Sequence, residues 1–103
     1  MRTISSKDIY ELATILINDY LCEHKCYANI NLPTDDFMVF EWEDEGFDAI
    51  CNIYLVTDES MMADAVAFNG DFSIVKLYEE IVKMINTGCM GSIAIMAQNI
   101  QAA

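Results

Sequence analysis

Apolar residues near the start of the chain recur at intervals of three and four, then switch to alternation in twos. Ile9, Leu12, Ala13, Leu16 and Tyr20 follow the i, i+3, i+4, i+7 spacing of one helix face. Ser5 or Ser6 can cap such a helix. Asp8 and Glu11 fall in its first turns, where carboxylates complement the helix dipole. The pattern predicts a helix starting near Lys7 and ending near residues 23–24. Ile15, Ile17 and Leu21 widen the apolar stripe, which predicts burial on more than one side.

From residue 26 to residue 32 the alternation is clean, with Cys26, Ala28, Ile30 and Leu32 on one side and Tyr27, Asn29 and Asn31 on the other. Residues 33–36, Pro-Thr-Asp-Asp, break that strand. Residues 37–43 and 48–56 are rich in β-branched and aromatic side chains and predict a hairpin. A two-residue turn centred on Glu45 and Gly46 would pair residues whose numbers sum to 91. That register sets Trp42 against Ala49, Phe40 against Cys51 and Met38 against Ile53, all on one apolar face. The other face then carries Phe37, Val39, Glu41 and Glu43 against Tyr54, Asn52, Ile50 and Asp48. It places Glu43 directly opposite Asp48, an arrangement that costs a few tenths to ~1 kcal/mol.

Residues 61–68, MMADAVAF, read as a fourth strand, with Met62, Asp64, Val66 and Phe68 on one face and Asn-Gly-Asp turn chemistry behind it. Ser73 or Asp71 then caps a second helix over residues 74–86. Ile74, Leu77, Tyr78, Ile81 and Ile85 form its stripe, Glu79 and Lys83 an i, i+4 pair, and Gly88 its stop. In the tail, Ile93, Met96, Ala97 and Ile100 stand at helical spacing behind Ser92 and predict a short third helix. The expected architecture is one α+β domain over residues 1–103. An N-terminal helix, a three- or four-stranded antiparallel meander, a second helix and a short C-terminal helix should all pack on one sheet face, the one carrying Met38, Phe40, Trp42, Cys51 and Ile53.

Composition sharpens this picture. Apolar residues make up 54% of the 103 residues, enough for one core and against disorder despite a net charge of −12. The charge is uneven: between Lys25 and Lys76 lie eleven acids and no base. Such a field neutralises no phosphates, so direct nucleic-acid binding is not expected, nor binding to anionic membranes. No apolar run approaches the ~20 residues of a membrane span, and the first residues show no signal-peptide pattern, so a soluble cytoplasmic protein is expected. From Thr87 to Ala103 there is no charged side chain at all.

Candidate chemistry is sparse. Cys22, His24 and Cys26, with Cys89, could ligate zinc, but the spacing matches no paired motif, and no metal or cofactor is expected. Cys51 belongs to the apolar face as a small hydrophobe. The four glycines read as turns and caps rather than a phosphate loop. No nucleophile stands beside a base, and paired carboxylates such as Glu41 and Glu43 would need a concave pocket to do acid–base work, so the chain is expected not to be an enzyme. Carboxylates spaced along strands can instead stand in for phosphates before a basic partner.

The leading expectation is therefore a non-catalytic, protein-binding inhibitor of a basic nucleic-acid-handling protein such as a nuclease. Phage anti-defence proteins and toxin-immunity proteins offer the analogy of size and charge. Its partner-binding residues would be Phe37, Glu41, Glu43, Asp44, Glu45, Asp48 and Tyr54. The alternative is a structural subunit that forms a homodimer through Ile93, Met96 and Ile100 of the uncharged tail.

Overall fold

A computed structural model of the chain describes residues 2–21, 28–31, 36–45, 48–58, 60–88 and 93–96. In chain order the elements are β1 (Arg2–Ser5), α1 (Ser6–Leu21), β2 (Ala28–Asn31), β3 (Phe37–Glu45), β4 (Asp48–Val56), β5 (Met61–Phe68), α2 (Ile74–Gly88) and β6 (Ile93–Met96). The fold is α+β. Strands β2-β3-β4-β5 form a four-stranded antiparallel meander, and β1 and β6 form a separate parallel pair.

Both helices start where the sequence supplies a cap. The Lys7 amide donates to Ser5 Oγ at 3.2 Å, and the Lys76 amide donates to Ser73 Oγ at the same distance. Helix α1 buries Ile9, Ala13, Leu16 and Ile17, and α2 buries Leu77, Ile81, Met84 and Ile85. The helices pack on each other and on one face of the sheet, where Met38, Phe40, Cys51, Ile53 and Phe68 have no exposure. Burial on more than one side of α1 is not found: Ile17 is buried, but Ile15 and Leu21 are each 55% exposed. On α2 the ion pair of Lys83 is with Glu80 at 3.8 Å, one turn position away from the expected Glu79.

Two expectations are corrected. The hairpin pairs residues summing to 93, so that Trp42 faces Cys51, Phe40 faces Ile53 and Met38 faces Leu55. A shift of two keeps every side chain on its expected face, because the side-chain period is two. It extends the ladder to nine pairs and brings Leu55 against Met38 in the core row. A two-residue hairpin loop takes Gly at its first position as readily as at its second, so Gly46 alone did not choose between the registers. In consequence Glu43 faces Ile50, and the opposed acids are Glu45 and Asp48.

The second correction is at the two ends. Ile93–Met96 is a strand, not part of a helix, and Arg2–Ser5 is its partner, with Arg2 beside Ile93 and Ser5 beside Met96. The β-branched Ile-Ala-Ile run suits a strand once a second strand lies alongside. Gly88 ends α2, as the sequence predicts, and it faces the sheet. A Cβ there would lie 2.2 Å from Leu55 Cδ2 and 2.8 Å from Met62 Sδ. Its lack of a side chain lets the helix end close onto β4 and β5.

Candidate functional site

The helices occupy the inner face carrying Phe40 and Ile53, so the outer face of the sheet has no described element over it. On β3 this outer row is Phe37, Val39, Glu41 and Glu43; on β4 it is Ile50, Asn52, Tyr54 and Val56. Apart from exposed Glu43, these side chains are half-buried among their own neighbours. On β5 the row is Met61, Ala63, Ala65 and Ala67, all exposed.

Two carboxylates in this face are held by cross-strand donors. The Tyr54 hydroxyl donates to Glu41 Oε1 at 3.1 Å, and Asn52 Nδ2 donates to Glu43 Oε2 at 2.9 Å. The hydrogen bond to Glu41, some loss of solvent and the charges of Glu41 and Glu43 raise the pKa of the Tyr54 phenol, which keeps it a donor. Each glutamate is thereby fixed to one strand position, about 6.8 Å from the next on the same face. No basic residue lies in the outer rows of β3, β4 and β5.

Of the expected partner-binding residues, the structure brings Phe37, Glu41, Glu43 and Tyr54 together on this face. Glu45 and Asp48 are strand partners at its hairpin end. Asp44 stands on the other row, where its carboxylate accepts the hydroxyl of Tyr20. Tyr20 in turn lies 4.4 Å from the Trp42 ring and 5.6 Å from Phe72, centroid to centroid. Asp44 thus ties the end of α1 to the hairpin. Sequence reasoning passed over Asn52, which orients Glu43, and the alanine row of β5. The alanine row was readable as the odd face of residues 61–68 once that stretch is a strand.

The remaining candidates separate. Ile93 and Met96 belong to β6 and pair with β1 within the chain, while Ile100 lies outside the described residues. Cys22, His24, Cys26, Tyr27 and Cys89 also lie outside them. Among the described residues no three metal-ligating side chains converge. Cys51 is fully buried, and burial pushes its thiol up to about 12, so it is an inert core group. No helix among the described residues is long and apolar enough to cross a membrane.

At the outer edge, Asp64 of β5 meets α2. Its carboxylate is hydrogen-bonded by Glu80 and also accepts the Ala65 amide at 2.7 Å. The Glu80 bond is the main reason that the Asp64 pKa falls, and the same bond raises that of Glu80. Lys76 Nζ donates to the Ala67 carbonyl and sits 5.3 Å above the Phe68 ring.

No family model matches this chain, and comparison with curated proteins and with solved structures finds no match.

Proposed function

We propose that the outer face of the sheet is a binding surface for a basic protein, and that the chain acts without catalysis as an inhibitor of a nucleic-acid-handling partner. One observation carries this reading: Glu41 and Glu43 are held in fixed positions by Tyr54 and Asn52, on a face that no described element covers. Pre-positioned carboxylates lose little freedom when a guanidinium or ammonium group arrives, and the net charge of −12 would steer such a partner in. Phe37 and Tyr54 supply aromatic contact area beside the acids.

The test is capture from cell lysate by the wild type beside a Glu41→Lys/Glu43→Lys/Asp48→Lys variant, at low and physiological salt. The expected result is a basic nucleic-acid-binding protein held by the wild type, weakened by salt and lost with the variant. Equal captures by the two proteins would reduce the acidic face to a solubilising surface.

A further inference from the structure

We infer that the partner segment seated on the outer face is an amphipathic α-helix with basic residues along one margin, which deepens the reading proposed above and rests on it. The inner and outer rows differ less in polarity than a two-layer fold requires. An antiparallel sheet with one wet face alternates apolar and polar residues along each strand. Here the polar residues of the outer rows, Glu41, Glu43, Glu45, Asp48 and Asn52, gather toward the hairpin end, and Phe37, Val39, Ile50, Tyr54, Val56 and the β5 row make the rest apolar and aromatic. A sheet with apolar area on both sides belongs between two layers, and the described helices lie on one side of it.

The β5 edge of the sheet argues against a partner strand there. Strand β5 is outermost, next to β4 alone, and so turns alternate backbone groups outwards. Two backbone groups of this edge strand are already held by side chains, the Ala65 N–H by Asp64 and the Ala67 carbonyl by Lys76. Strand addition would have to displace both side chains. The face itself remains open, and it is stepped: bulky Ile50 and Tyr54 stand on β4 beside the low alanines of β5. A helix about 10 Å across spans two to three strands at ~4.8 Å spacing and can seat in such a step.

Charge selects the helix. The acids lie towards the hairpin end at Glu41 and Glu43, while Phe37, Val56 and Met61 make the other end apolar. A helix of matching polarity therefore carries Lys or Arg over the acids and apolar residues over the rest. A second copy of the chain does not match, because each brings a charge of −12.

The experiment uses the full chain and two synthetic probes of equal Leu and Lys content. One is patterned as an amphipathic helix, the other alternates Leu and Lys as a strand. Binding is measured by fluorescence anisotropy, with Ala65→Tyr filling the step and Glu41→Gln/Glu43→Gln removing the charge. Tyr favours exposed strand positions, so the Ala65 variant is expected to fold, as thermal unfolding would verify. The helical probe should bind about tenfold or more tighter than the alternating one, and each variant should lose about tenfold. Equal or tighter binding of the alternating probe, still sensitive to the glutamines, overturns the helix and leaves the basic partner standing. Binding of neither probe, or binding indifferent to both variants, overturns the two readings together. A wild-type dimer in sedimentation that Ala65→Tyr dissociates would give the face to a second copy and overturn the inference.

Discussion

On the inner side of the four-stranded sheet Met38, Phe40, Cys51 and Ile53 have no solvent exposure, while one residue along on the outer side Val39, Glu41, Asn52 and Tyr54 are only half-buried. The same backbone carries both rows, so the difference comes from what lies over each. The inner row meets two helices whose stripes were evident from the sequence alone. Among the described residues the outer row meets its own neighbours, and Glu41 and Glu43 are tied to Tyr54 and Asn52. One sheet therefore teaches how core and surface diverge when strand propensity is held constant.

The contrast can be broken most directly with one pair of substitutions. Phe40→Ala should cost about 3–5 kcal/mol in denaturant unfolding, whereas Phe37→Ala should cost about 1 kcal/mol. Comparable losses would mean that the outer row is as fully covered as the inner. Gly88→Ala comes next. Leu55 is 1% exposed and has little room to turn away from an added methyl, so about 1–3 kcal/mol should be lost despite alanine's better helix propensity. An unchanged midpoint would show slack beneath α2.

The smallest effect belongs to the margin between the faces, at Asp64 and Glu80. Glu80 is raised above its ordinary 4.5, so its contribution is complete below that value and is lost as pH rises through its folded value. Asp64 is lowered below 3.8, so its contribution is present above that value and is lost as pH falls through its folded value. The pair supports the fold best in the mildly acidic interval between the two, with one proton shared; toward neutral pH the Glu80 part is lost, and at low pH the Asp64 part. Glu80→Gln keeps a donor at every pH. It should raise stability at pH 7 by about 0.5 kcal/mol and lose that advantage near pH 4. A constant difference across pH would separate the pair from the fold's acid response.

Much of this was legible in the sequence, for reasons that can be named. Alternation over the residues of β3 and β4 is long enough to assign each side chain to a face, and parity preserved those faces when the register slipped by two. The same alternation identified β5, and the awkward Asp64 on its inner row is explained by Glu80 of α2. The tail misled because Ile93 and Met96 satisfy helical spacing while Ile93 and Ile95 satisfy extended spacing within the same four residues. What decides between them is β1, at the far end of the chain, which no local window contains. Asp44 misled differently. It belongs to the acid run by sequence and to the Tyr20–Trp42 cluster by structure, and only the meeting of α1 with the hairpin shows that.

The parallel pairing of β1 with β6 also orders events in time. Arg2 and Ile93 are partners 91 residues apart (93 − 2), so their ladder closes the longest loop in the described fold and gains little until both helices and the meander are in place. During synthesis α1 emerges well before β6, so the strand that precedes α1 waits for its partner until the meander and α2 have followed. The clasp between β1 and β6 is thus the last part to form and the first to let go, and amide exchange should find it opening well before the meander does.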